Sequence, residues 1–188
     1  QHIKPQFIEA HRLAEFNVRG NDVPVILDLM IHDIDIILSL VKSEIINIQA
    51  NGVKVISSTI DIANVRLEFA NGCVANLTSS RISQKIMRKM RLFQQDNYLT
   101  IDFHKGVVEE YKITNSRPSS NMSDKIVKMG NKKFISYQKP NIPKYDALKE
   151  EFIHFANSIQ KLQKPKTDGY SATKALSIAL EIQKIIDN

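Results

Sequence analysis

Cysteine is almost missing from this 188-residue chain. The single Cys73 excludes an intramolecular disulfide framework and any cysteine-built zinc site. One thiol suits a reducing compartment, so the expected location is cytoplasmic. Glycine is scarce too. The six glycines, Gly20, Gly52, Gly72, Gly106, Gly130 and Gly169, stand too far apart for a G-x-G-x-x-G phosphate turn or a Walker loop. Tryptophan is absent, and few aromatics interleave with the basic clusters at 85–91 and 125–133, so no nucleic-acid partner is expected. No apolar run is long enough to read as a membrane-spanning helix, no signal segment opens the chain, and no membrane partner is expected. What remains is a globular mixture, 43% hydrophobic and 24% charged. Its 26 Lys+Arg against 20 Asp+Glu permit an acidic partner without requiring one. The length fits one large domain. The chain begins at Gln1, and the expectation is a single domain, residues 1–188, belonging to a longer polypeptide.

Residues 6–12 alternate after Pro5 and predict a strand. A polar loop over 17–22 follows, with Asp22 as N-cap and Val23-Pro24 in the first turn of a helix over 25–41. Beyond Lys42 the apolar period shortens. Strands are predicted over 44–55, interrupted at Asn51-Gly52, and over 64–69 and 73–79 about a type I′ turn at Asn71-Gly72. Further strands are predicted over 89–95, 98–104 and 107–113, then a mobile loop over 114–123 and an edge strand over 133–138. Two helices close the chain. Residues 145–162 place Leu148, Phe152, Phe155 and Ile159 on one face, and residues 171–187 do the same with Ala175, Ile178, Ile182 and Ile185. This order predicts an α+β fold with an open, mainly antiparallel sheet and helices on one face. Both faces of the strands carry apolar groups, so the second face is expected to serve oligomerisation.

The segment from Asp28 to Ile37 carries the chemistry. Val25, Ile26, Leu27, Leu29, Met30, Ile31, Ile34, Ile36 and Ile37 wrap most of the circumference, predicting a helix buried on nearly all sides. Asp28, His32, Asp35 and Ser39 fall at i, i+4, i+7 and i+11, one line along it. Unpaired burial of such groups is costly, so the stripe is expected to line a cleft. A carboxylate one turn from an imidazole sets its tautomer and favours its protonated form, which suits general acid/base work. Two other readings stay open. One is an Asp–His pair satisfied inside the core. The other is a divalent ion held by Asp28, His32 and Asp35, against which stands the lack of a second His at ligand spacing; no metal is expected. Arg12 and Arg19 flank the stripe in sequence and suit bidentate recognition of a substrate carboxylate or phosphate, with surface salt bridges as the alternative. Tyr170 is expected in the core, and His104 and His154 as surface or core fillers.

The string Phe7-Ile8-Glu9-Ala10-His11-Arg12, then Arg19, then Val23-Pro24-Val25-Ile26-Leu27-Asp28-Leu29-Met30-Ile31-His32-Asp33-Ile34-Asp35 strongly resembles the glucose–fructose oxidoreductase / inositol dehydrogenase / MocA family. Thr78-Ser79-Ser80-Arg81 and Gly169-Tyr170-Ser171-Ala172-Thr173 extend the resemblance over essentially the whole chain. It is similar to the half that follows the nucleotide-binding domain. The resemblance implies an NAD(P)-dependent oxidoreductase acting on a hydroxyl of a sugar, cyclitol or related small molecule. NAD or NADP would be held mainly by a Rossmann domain absent from these residues. It implies that His32 is the catalytic acid/base and that Asp28 orients and charge-balances it; from the residues themselves, Arg12, Arg19 and Asp35 are expected to bind substrate. It also implies a homodimer or homotetramer built through the sheet, and an isolated chain without activity. The alternative is a non-catalytic binding or assembly module that keeps the sheet interface and uses the stripe structurally.

Overall fold

A computed structural model describes residues 3–18, 20–116, 125–129, 133–143 and 146–188. The strands are β1 (Phe7–Leu13), β2 (Ile45–Val53), β3 (Ile62–Phe69), β4 (Val74–Ser80), β5 (Met87–Gln94), β6 (Asn97–Asp102), β7 (Val107–Thr114), β8 (Lys125–Met129) and β9 (Lys133–Gln138). They form one sheet in the order β2-β3-β4-β1-β5-β6-β7-β9-β8. A π-helical turn (Ile26–Met30) leads into α1 (Ile31–Val41), and α2 (Ala147–Gln160) and α3 (Gly169–Asp187) follow the sheet. The α+β architecture with a mainly antiparallel sheet is present; β1 and β4 run parallel. They do so because the chain leaves β1 through the helix and returns as the β2–β3–β4 meander, whose third strand points back along β1.

Alternation in β1 puts Ile8, Ala10 and Arg12 on one face. The register sets Ile8 beside Ala75 and Leu92, and Ala10 beside Leu77 and Met90. Val65, Leu67 and Phe69 of β3 join the same core, which Ile26, Met30, Ile34 and Ile37 close from above with Ala175, Ala179 and Ile182 of α3. Along the helix the buried positions are Ile26, Met30, Asp33, Ile34, Ile37 and Val41, a single face. The segment expected to be enclosed all round is therefore buried on one side, while Asp28, His32 and Ser39 are exposed.

Other expectations are corrected in the turns. The β3–β4 connection is not type I′. Gly72 has φ +83°, whereas Asn71 keeps negative φ, and Gly72 N–H donates to the Phe69 carbonyl. This is a three-residue loop, a type I turn followed by a left-handed glycine. Strand β2 is not interrupted at Asn51-Gly52, which pair with Asn64 and Ala63. Gly52 serves close packing instead: a Cβ there would lie 2.8 Å from Ile60 Cγ2. Asp22 makes no helix cap; Val25 occupies that position, with no side-chain cap bond. Strand β8 falls in the lysine-rich stretch that periodicity left as a basic cluster. Most of the loop expected over 114–123 lies outside the described residues.

One end of the sheet carries a buried carboxylate. Asp61 Oδ2 accepts from the N–H groups of Val55 (2.8 Å), Ile56 (2.7 Å) and Ser57 (2.9 Å), and Oδ1 accepts the Ser57 hydroxyl (2.6 Å). Burial alone would raise its pKa, but the hydroxyl and N–H donors outweigh burial and hold the carboxyl well below the usual aspartate range. A depressed pKa supplies stability above the unfolded-state value, and acid removes it below about pH 4. Asp61→Asn is expected to lower stability by about 1–3 kcal/mol at neutral pH and to flatten its acid dependence, as followed by urea unfolding across pH. Parallel acid limbs in wild type and variant would contradict this assignment.

Candidate functional site

The stripe stands where the helix changes pitch. Ile31 N–H donates to the Ile26 carbonyl, closing the wide π turn that contains Asp28, and His32 lies in the first turn of α1. Asp28 and His32 both face solvent, Asp35 is half-buried, and the Ser39 hydroxyl turns back to the Ile36 carbonyl at 2.7 Å. Among the described residues no hydrogen bond joins Asp28 to His32. The two share a face and are free to engage a third group between or above them.

The acid that enters the core is its neighbour, Asp33. Arg12 Nε donates to Asp33 Oδ2 at 2.8 Å and Nη2 to Oδ1 at 2.9 Å, with side chains only 10% and 6% exposed. This corrects the reading of Arg12 as a substrate ligand: the fork that would grip a substrate anion already grips Asp33. It also answers the structural alternative for the stripe, because the pair that staples the core is Arg12–Asp33, not Asp28–His32. The sequence held a signal for it. Asp33 follows Met30 by three positions and Ile26 by seven, on the buried face, and Arg12 alternates with Ile8 and Ala10.

Upstream, Arg81 Nη1 donates to the Gly20 carbonyl (3.1 Å) and Nη2 to that of Val23, while its Nε stands 3.9 Å from Asp61 Oδ1. The Thr59 hydroxyl donates to the Asn21 carbonyl at 2.8 Å. These bonds pin the loop that feeds the π turn. Arg19 lies outside the described residues.

Elsewhere, the apolar face of α2 is open rather than packed: Leu148, Phe152, Phe155 and Ile159 are all more than half exposed. A groove of about 350 Å³ beside it is lined by Leu148, Phe152, Phe155 and Pro165. Tyr170, expected in the core, is 76% exposed, with the Lys164 ammonium 6.0 Å from its ring centroid. Among the described residues no three His, Cys, Asp or Glu side chains gather as a metal site, and no helix is long and apolar enough to cross a membrane.

The structure is thus an open α+β domain, its sheet covered on one face by the π turn, α1 and α3, with a D-x-x-x-H line at the start of its first helix. The GFO/IDH/MocA C-terminal domain family matches residues 10–109, and the chain belongs to that family. UDP-N-acetylglucosamine 3-dehydrogenase of Acidithiobacillus ferrooxidans is 32% identical over 185 residues, covering 97% of this chain and 55% of that protein. Its crystal structure superposes with a TM-score of 0.84 at 31% identity, over 99% of this chain and 55% of that one. The chain thus spans about half the length of the curated relative it matches. The fold is shared more distantly with levoglucosan dehydrogenase in complex with NADH and L-sorbose, at TM-score 0.75 and 11% identity over 98% of this chain and 57% of that one.

Burial predicts very unequal stability costs for the adjacent residues 32 and 33. Asp33→Ala strands the Arg12 guanidinium in the core and is expected to cost about 3–5 kcal/mol. His32→Ala, at an exposed position, is expected to stay within about 0.5 kcal/mol of wild type. Urea denaturation of the two variants measures the contrast, and a reversed order would place His32 in the core.

Proposed function

We propose that this chain is the substrate-binding domain of an NAD(P)-dependent dehydrogenase that oxidises a hydroxyl of a nucleotide-linked sugar. The observation that supports it is the solvent-facing pair Asp28 and His32, on the first helix of a domain 32% identical to a UDP-N-acetylglucosamine dehydrogenase. His32 takes the hydroxyl proton as general base and returns it in the reverse direction. Asp28, one turn away, orients the imidazole and balances its charge once substrate closes the site. Asp35, further along the stripe, contacts substrate; Arg19, the other expected ligand, lies outside the described residues.

This chain lacks the glycine spacing of a dinucleotide phosphate turn. Hydride acceptance is the chemistry NAD or NADP supplies, and its binding falls mainly to a preceding domain. The division fits the chain's span of about half its relative. A free, buried Cys73, whose thiol is pushed up by burial, fits a cytoplasmic setting.

The open face of the sheet is the proposed oligomer contact, making a homodimer or homotetramer. Phe7, Phe93, Tyr98, Tyr111 and Tyr137 align across β1, β5, β6, β7 and β9, with successive ring centroids 5.6, 4.7, 5.5 and 5.0 Å apart. None of the five is buried within one chain. The row is a partly exposed, largely apolar strip of the kind a second subunit covers. Tyr98→Glu with Tyr111→Glu is expected to shift the full-length protein to a smaller species in light scattering; an unchanged mass would move the contact elsewhere.

The catalytic assignment is tested by His32→Ala in the full-length protein, assayed with NAD or NADP and UDP-N-acetylglucosamine. Turnover is expected to fall about 10²-fold or more with oligomeric mass unchanged. Retained turnover would favour the assembly-module alternative.

A further inference from the structure

We infer that Arg12 and Asp33 are positioning residues for His32, a buried fork that sets the rotation of the helix at the junction where the imidazole emerges. This rests on the catalytic reading of His32 and extends it to two residues that touch no substrate.

Three observations carry the inference. The first is adjacency. Asp33 is the residue after His32, so fixing its carboxylate against Arg12 at 2.8 and 2.9 Å fixes the backbone that bears the imidazole. A planar guanidinium gripping both oxygens permits one orientation, which a single-point lysine contact would not. The second is location. The pitch changes from π to α between Met30 and Ile31, immediately before His32. A change of pitch shifts the angular position of every later side chain, so this is where rotation most needs an anchor. The apolar contacts of Ile26, Met30, Ile34 and Ile37 are non-directional and hold depth better than angle. Arg81 already clamps the carbonyls of Gly20 and Val23 before the π turn, and the Arg12–Asp33 fork clamps the chain after it. The third is energetic. A buried ion pair is often replaceable by packed apolar residues without loss of stability, so burial of this one is not explained by stability alone. Its surroundings agree: Ser79, the register partner of Arg12 on β4, is wholly buried with an unpartnered Oγ. Polar groups are retained in this row where an apolar core would pack more simply.

The test replaces the fork without leaving a charge behind. In the full-length protein, Arg12→Met with Asp33→Leu is expected to keep its unfolding midpoint. Its histidine ring NMR signals separate positioning from a merely structural role. The His32 signal, assigned by its loss in His32→Ala, is expected to broaden or split, while those of His104 and His154 stay unchanged. With UDP-N-acetylglucosamine and NAD or NADP as probes, kcat is expected to fall about 10²-fold with KM within about twofold, the signature of a misplaced catalytic group. Arg12→Lys, which keeps the charge and loses the fork, is a second variant should the double one fail to fold; it is expected to show the same pattern in milder form. A sharp His32 signal with unchanged kcat in either folded variant would overturn the inference, as would a rise in KM alone. Wild-type turnover in His32→Ala would instead overturn the catalytic reading beneath it.

Discussion

A guanidinium and a carboxylate held together out of water tie the first strand to the first helix, and much of the domain is arranged around that tie. Arg12 lies on β1, the strand with β4 on one side and β5 on the other, and Asp33 lies on the helix that covers it. Apolar contacts alone would let the helix settle at several angles over so regular a surface. The bidentate pair selects one of them, and that choice determines which side of the helix meets solvent. Asp28 and His32 are exposed on the side of the helix away from buried Ile26, Met30, Asp33, Ile34 and Ile37.

The same asymmetry runs through the sheet. Over β2, β3, β4, β1 and β5 one face is covered by the π turn, α1 and α3, and in β1 and β3 its buried positions alternate strictly. The opposite face carries ion pairs such as Arg91–Glu9 and Arg66–Glu68, and a row of aromatic rings with Ile113 and Ile135 beside it. That row crosses five strands far apart in sequence, from Phe7 to Tyr137. Helix α2 adds a second unsatisfied surface. A chain with two such surfaces has apolar faces that its own core does not complete.

Much of the fold was legible in the sequence because its signals are local. Period-two alternation marked β1, β3, β4, β5, β6 and β7, and the two late helices stood out by apolar spacing. Strand β8 escaped because its lysines suppress alternation. The turn at Asn71-Gly72 was located correctly and typed wrongly, since a dipeptide cannot show whether two or three residues cross between strands. The candidate site was partly visible. The line of Asp28, His32, Asp35 and Ser39 is a property of helical spacing, but Arg12 was taken for a ligand because its partner on another element could not be seen.

The amino-acid order by itself determined the element succession apart from β8, the D-x-x-x-H line, the lack of a phosphate turn and the family to which the chain belongs. Each of these depends on residues near one another in the chain or on composition. Tertiary structure alone decided that β1 and β4 run parallel, that Asp33 and not Asp28 is the buried acid, and that five aromatic rings align. Each of those outcomes turns on register between distant segments, where a slip of one residue sends every side chain to the other face.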